Sequence, residues 1–454
     1  MNSGLTSSNV PVGCSHVRFL ILGVLLVCCL CDSCGDPIDP FFPILEVTPD
    51  SLDFGGVLVE LSFQVVNEGT KTLHWSAESP DTFMTLDPQA GELDPSPGQN
   101  DTLVTVTVNR AGIGDGVYST TIRVTSTDGG TSNVRVKMTV GVFELPIVGS
   151  LDTEGGDALA VAVSANHAYV PCGSLGRMYI MDVTNPTTPT EAYRLNLPGN
   201  PLDVAVYGDY GYVASGGSGL IIVDVSNPTS AVQVGNSDTP GSALDVVLDG
   251  SLAYIADGRG GLRHINVANP SVPVPKWNYV TSHEANNLDQ GGGYAFVLCG
   301  DYYEEPGVLE IINVQGLSPV FADSCGTTGP LGGVDAVGDY VYVASWGFYA
   351  SALEIFDVSN PQAVELIKRI DTRQLFPGGT SNSSDVLVDG IYAYLADSEG
   401  GLHVLDISDP LDPKFIAFCD TPYRARGVAV SGDYVYVADE GSGVQIIDRS
   451  LLRP

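Results

Sequence analysis

The chain has 454 residues and a formal net charge of −35, from 19 Lys and Arg against 54 Asp and Glu. That charge repels phosphate backbones and anionic lipid surfaces, which argues against nucleic acid as a partner. With 44% hydrophobic residues and 53 glycines, the composition is that of a turn-rich globular β protein rather than a disordered acidic chain, and the length admits more than one domain.

In chain order, the first element is the apolar run 19–27, preceded by His16 and Arg18. It is too short for a membrane span and has the layout of an export signal. Cys28, Cys29, Cys31 and Cys34 crowd behind it. Leu26-Val27-Cys28-Cys29 resembles the box of a bacterial lipoprotein signal. The resemblance implies acylation of Cys29 and a membrane tether through an N-terminal lipid, although Cys28 stands where that family has Gly, Ala or Ser. A plain signal, cleaved or uncleaved, is the other reading. Residues 1–34 are thus the signal, and 35–43, with Pro37, Pro40 and Pro43, form a short stiff linker. The expected location is outside the cytoplasm: at a bacterial cell surface, outer membrane-anchored or periplasmic.

Residues 44–142 hold candidate strands at 44–48, 61–66, 72–77, 102–108, 118–126 and 133–140. Short alternating strands over about 100 residues suggest an immunoglobulin-like sandwich. The stretch resembles the BACON family of bacterial surface domains. The matching residues are 45–54, Asn67-Glu68-Gly69, Trp75, Asp87-Pro88-Gln89-Ala90-Gly91, and Gly116-Val117-Tyr118 leading to Thr125-Ser126. Phe83 stands where that family often has Trp. The resemblance implies carbohydrate binding. The residues themselves place Trp75, Phe83 and Tyr118 in the core and make the unit a spacer.

From 143 onward the chain repeats. Gly432-Asp433-Tyr434-Val435-Tyr436-Val437-Ala438-Asp439, followed by Gly443-Val444-Gln445-Ile446-Ile447-Asp448, returns with variation at Tyr169, Tyr212, Tyr254, Phe296, Tyr342 and Tyr394. Each unit of roughly 40–45 residues holds four short apolar runs bounded by Gly, Asn, Asp or Pro, the pattern of a propeller blade. Seven markers predict a seven-bladed β-propeller over 143–454. After Asp448 too little chain remains for a last fourth strand. The missing piece is 145–153, which matches the fourth-strand run 412–421, so the ring is expected to close by pairing an N-terminal strand with the last blade. Leu220-Ile221-Ile222-Val223-Asp224, with Asn227-Pro228 after it, resembles the bacterial LVIVD-repeat family. Related pairs stand at Asp182 with Asn185-Pro186, Asp357 with Asn360-Pro361, and Asp406 with Asp409-Pro410; the departures are Asn266 and Asn313. The family implies the architecture and leaves the activity open.

Uneven spacing locates candidate sites. Extra residues enter the strand 2–3 loops of the fourth and fifth units and the connection from fifth to sixth, all on one rim by the alternation of an antiparallel blade. They bring Tyr302 and Tyr303, then Trp346, Phe348 and Tyr349. Aromatics on loops anchor protein or sugar partners, or else lid the ring. At the starts of the inner strands, Asp203, Asp245, Asn287 and Asp385 ring one channel mouth. They would hold a hard cation through oxygens, or satisfy backbone N–H groups of the next blade; the ring is broken at Ala160, Gly333 and Gly427, and no metal is assigned. Cys299 and Cys325 share a unit and either pair or remain buried thiols. His283-Glu284 is a lone pair without a third partner, so no catalytic residue and no cofactor is assigned. The sequence therefore reads as an exported, monomeric, non-enzymatic binding or scaffold protein that offers a propeller rim to a protein or glycan. The alternative is an exported propeller hydrolase or lyase with its site at the channel mouth.

Overall fold

The computed structural model describes residues 43–452 except 54–59, 111–112, 114–115, 128–129, 301–305, 347–350 and 376–381. Among the described residues the secondary structure is strands joined by turns, with short 3-10 turns at Gly173–Leu175 and Thr372–Gln374.

The N-terminal unit has two sheets. One orders Leu45–Thr48, Glu60–Asn67, Asp101–Val108 and Met84–Asp87; the other orders Ser51–Asp53, Gly130–Val140, Gly116–Ser126, Leu73–Glu78 and Ala90–Leu93. Alternate residues of both sheets, among them Phe63, Val65, Val104, Ile122 and Val134, share one buried core. Trp75 is buried in it, and Phe83 and Tyr118 pack on its edge with ring centroids 6.3 Å apart. The strands Ser51–Asp53, Met84–Asp87 and Ala90–Leu93 go beyond the sequence expectation; they are short and end in Asp, Pro or Gly-containing turns that mask a period of two.

Among the described residues seven further open sheets follow, each built from four consecutive antiparallel strands or their equivalent. The second is typical: Asp203–Tyr207, Tyr210–Ala214, Leu220–Asp224 and Val232–Ser237. Its third strand is apolar without alternation because both faces are covered. Ile221 and Val223 pack toward Tyr169, Met178 and Ile180 of the first sheet, while Leu220 and Ile222 pack toward Ala253, Ile255 and Ile265 of the third. Each such aliphatic side chain contributes roughly 1.5–3 kcal/mol by burial. The Asp that ends this strand turns the chain: Asp224 Oδ1 accepts from Ser226 N–H at 2.9 Å, and Asn227 Oδ1 from Thr229 N–H at 3.3 Å. Asn266 and Asn313, which depart from the repeat, accept in the same way from Ala268 and Gln315.

First strands of successive sheets lie side by side, and that of the seventh, Gly427–Ser431, lies against that of the first, Ala162–Ser164, so the series returns on itself. The seventh sheet takes its fourth strand from Ile147–Leu151, with Ile147 opposite Ile447 in the sheet that carries Tyr436. A second N-terminal piece, Phe143–Glu144, adds in parallel to the edge of the sixth sheet, opposite Ala417 and Phe418. Arg449 locks the end: it is buried, and its guanidinium donates to Tyr394 Oη at 2.7 Å and Gly432 O at 2.9 Å and pairs with Asp389 at 2.6 Å.

Cys172, Cys299, Cys325 and Cys419 are free thiols. The pairing of Cys299 with Cys325 does not form. They sit on the second and fourth strands of one sheet with Val308–Asn313 between them. Two strand spacings are about 9–10 Å, beyond disulfide reach.

Candidate functional site

Inside the ring of first strands is a cavity of about 790 Å³. Its wall contains Asp203, Asp245, Asn287 and Asp385, together with Asp289 and Asp335. Each points one oxygen at a backbone N–H of the following sheet. Asp203 accepts from Val246 at 3.1 Å, Asp245 from Leu288 at 2.7 Å, and Asn287 from Val334 at 3.0 Å. Asp289 accepts from Ala336 at 2.8 Å, Asp335 from Val388 at 2.5 Å, and Asp385 from Val428 at 3.0 Å. Adjacent first strands lack the backbone ladder of a continuous sheet, so these side chains supply the acceptors that the exposed N–H groups need. Of the two readings of the strand-start residues, the geometry is that of inter-sheet hydrogen bonding.

The breaks in the pattern have steric causes. A Cβ on Gly333 would lie 2.1 Å from Asp385 Oδ1, so that position is vacated and Asp335, two residues on, takes the role. A Cβ on Gly427 would lie 2.9 Å from Ala160 Cα, where the last sheet meets the first.

Burial raises the wall carboxyls. Desolvation carries Asp289 to about 7, with the neighbouring Asp335 adding to it, and carries Asp385 to about 7. Asp203 and Asp245 hydrogen-bond to each other and are both raised, chiefly by desolvation. Among the described residues no group of three or more His, Cys, Asp or Glu is placed to hold a metal ion.

The mouth is different in kind. Trp346 is half-buried and lines the cavity, its indole N–H donating to Leu331 O at 2.9 Å. The indole N–H finds its acceptor on the first strand of its own sheet, which brings the ring to the axis rather than out along the rim. Asn382, Arg424 and Arg426 line the same space, and so does Asn286, whose amide donates to Gly300 O at 2.6 Å. Gly300, Trp346 and Asn382 border the three insertions. Tyr302, Tyr303, Phe348 and Tyr349 lie outside the described residues, as does Cys29.

Two other constellations are structural in form. Ser383 Oγ donates to Asp397 Oδ1 at 2.7 Å and His403 Nδ1 lies 3.3 Å from Asp397 Oδ2, all fully buried. The carboxylate stands between Ser and His, which is not the order of a nucleophile and its base. Desolvation lowers His403 to about 4. Glu284 pairs with Arg259 at 2.5 Å, and His283 Nδ1 meets Ser282 Oγ at 3.0 Å. Sequence reasoning missed a repeated latch between sheets: Thr239 Oγ1 donates to Asp257 at 2.6 Å and Thr421 Oγ1 to Asp439 at 2.8 Å. Its signal is present as the recurring Asp238-Thr239-Pro240 and Asp420-Thr421-Pro422.

A family model described as LVIVD repeat matches residues 155–196, 198–239, 240–281, 329–372, 380–421 and 424–450. The interval 282–328, which it passes over, holds the fourth sheet. A model described as viral BACON domain matches residues 44–137. No curated protein matches the chain. Among solved structures, the chain is similar to the β-propeller domain of Myceliophteria thermophila Cps50 (Swd1), with a TM-score of 0.54 and 13% identity, covering 67% of this chain and 99% of that one. It is also similar to Kuenenia stuttgartiensis hydrazine synthase, with a TM-score of 0.54 and 14% identity, covering 66% and 98%. At these identities the likeness shows the fold alone.

Proposed function

The chain belongs to the LVIVD repeat family and carries a BACON domain, and from that premise we propose that it is an exported, monomeric, non-enzymatic binding or scaffold protein. In this reading the seven sheets are the blades of a propeller, the two N-terminal sheets are an immunoglobulin-like spacer, and the cavity-mouth face meets a protein or glycan. The repeats and the BACON domain suggest a propeller-like binding or scaffold role, and the propeller-like neighbours support the ring. The observation that carries the reading is the convergence on one mouth: Trp346 and Asn382, each beside an insertion, line it with two arginines, and Asn286 there donates to Gly300 O beside the third insertion. The apolar run 19–27 supports export, and a lipid at Cys29 would tether the protein to the outer membrane. No described helix is long and apolar enough to cross a membrane.

The test is capture of ligands by the purified chain on glycan and surface-protein arrays, wild type against Trp346→Ala. Binding that the substitution leaves unchanged would remove the mouth from the interface. A second reading, a hydrolase or lyase at the same mouth, is favoured by Asp289 and Asp385, whose carboxyls titrate near neutrality in a cavity. It requires turnover that Asp385→Asn abolishes.

A further inference from the structure

We propose that the outer edge of the fourth sheet, Val320–Gly326, is a docking edge for a partner protein: it takes an extended segment carrying apolar and basic side chains, added as a fifth strand. This edge lies on the outside of the ring, apart from the cavity mouth, and its role does not rest on the one proposed there.

The edge is open and apolar. Among the described residues Val320–Gly326 is the last strand of its sheet and pairs only inward, with Val308–Asn313. Leu317, in the turn before it, is 99% exposed, Val320 61% and Phe321 50%. Exposed strand edges of this kind are ordinarily guarded by charge or proline. The outer strands of the first, third, fifth and sixth sheets are guarded so, by Arg194, by Pro275 and Lys276, by Lys368 and Arg369, and by Lys414. The fourth has only Asp323, whose Oδ2 is turned aside to accept from Val364 N–H, in the turn before the fifth sheet's outer strand, at 2.8 Å. It is also the sheet that lies in the interval the repeat model passes over.

The chain itself shows how such an edge is covered. In the sixth sheet Phe143–Glu144 lies parallel to the outer strand Lys414–Cys419, opposite Ala417 and Phe418, and Leu145 N–H donates to Phe418 O at 2.7 Å. Ala417 and Phe418 stand opposite Val404 and His403; the same places in the fourth sheet are Asp323 and Ser324, opposite Ile311 and Glu310. An added strand would find the Ser324 carbonyl where Leu145 finds that of Phe418. Charge chooses its side chains. Glu310 is buried; its Oε1 accepts from Ser282 N–H at 2.7 Å, and its Oε2 has no partner among the described residues. The same place in the fifth sheet is Glu354, and there Arg369, opposite it on the outer strand, comes to 3.8 Å. Ser324 stands in the fourth sheet where Arg369 stands in the fifth, so among the described residues Glu310 lacks the cation that its counterpart has. A basic side chain on the added strand beside Ser324 would supply it. A second copy is the poorer occupant, because 282–328 holds no Lys or Arg and the chain carries a net charge of −35.

The experiment is titration of the purified chain into a fluorescent octapeptide of alternating Val and Arg, read by anisotropy at about 150 mM salt, where exposed charges are screened beyond about 8 Å. Two further peptides serve as probes: one with Glu in place of Arg, and one with alternate backbone nitrogens methylated, which keeps the charge but cannot add as a strand. The Arg peptide is expected to bind saturably and at least about tenfold more tightly than either. Phe321→Ser, which leaves the net charge unchanged, should weaken it at least about fivefold. Glu310→Gln should reduce the preference for the Arg peptide over the Glu peptide, with circular dichroism verifying that both variants fold. The docking edge is overturned if the Arg peptide does not bind, if its methylated form binds as tightly, or if Phe321→Ser leaves the affinity unchanged. Equal affinity for the Glu peptide, or a preference that Glu310→Gln leaves unchanged, would overturn the choice of a basic partner. Self-association of the chain that Phe321→Ser abolishes would give the edge to a second copy and overturn the proposal as well. None of these outcomes bears on the cavity mouth, which Trp346→Ala tests separately.

Discussion

The wall of the axial cavity and its mouth are both polar, yet their residues are committed differently. On the wall, Asp203, Asp245, Asn287, Asp289, Asp335 and Asp385 each spend an oxygen on an N–H of the next sheet. At the mouth, Trp346 donates its indole N–H to a backbone carbonyl of its own sheet, and Arg424 and Arg426 pair with Glu399 and Glu440. The acids of the wall thus bind sheet to sheet, while an aromatic and two planar cationic groups line the mouth. A ring of acids around a channel is therefore not by itself a metal or catalytic site. The donors it already serves have to be counted first.

The contrast can be broken at several points. The largest effect lies at the closure on which the wall depends: Arg449→Ala should cost about 3 kcal/mol, since it strips the donors from Tyr394, Gly432 and Asp389 at once. Thermal or urea unfolding measures it, and a loss under 1 kcal/mol would mean that the C-terminal segment does not hold the ring. Asn287→Ala should follow, at about 1–3 kcal/mol, because the Val334 N–H loses its buried acceptor. Faster hydrogen exchange at Val334, with distant amides unchanged, would locate the effect.

A smaller effect concerns pH. Asp289 and Asp385 are raised in the folded state to about 7. Their contribution to stability is fully present below the ordinary Asp range near pH 4 and is lost as pH rises through about 7. The turn carboxylates Asp182, Asp224 and Asp357 are held low, first by hydroxyl donors and then by N–H groups, and act oppositely; their contribution is lost only as pH falls below the ordinary range. Asp385→Asn should flatten the fall in melting temperature between pH 5 and pH 8, and an unchanged slope would refute the assignment. The smallest effect belongs to the mouth: Arg424→Ala removes an exposed ion pair and should alter stability by less than about 1 kcal/mol.

Most of the ring was legible because the repeat states it many times. Tyr212 and Tyr436 mark equivalent second strands, and the likeness of 145–153 to 412–421 reveals the closing strand Ile147–Leu151 before any pairing is seen. The extra edge strand Phe143–Glu144 was not legible, since two residues carry no period. Asp203, Asp245 and Asp385 stand out by recurring at one register. Asp289 and Asp335 escaped notice because they sit two residues farther along the strand than the recurring register; in the strand of Asp335 that register position is Gly333, where a Cβ would meet Asp385, while in the strand of Asp289 it is still filled by Asn287. Trp346 was singled out by its insertion and expected off the axis; it lines the axial cavity because the acceptor that draws it inward is a backbone carbonyl that no sequence pattern reports.

The most direct measurement pairs melting temperature with affinity for the ligand captured on the arrays in two variants, Asn287→Ala on the wall and Trp346→Ala at the mouth. The wall variant should melt several degrees lower and bind as wild type while folded; the mouth variant should keep most of its melting temperature and lose affinity at least about tenfold. Variants that lose stability and affinity together, or in the opposite order, would contradict the division of labour between wall and mouth.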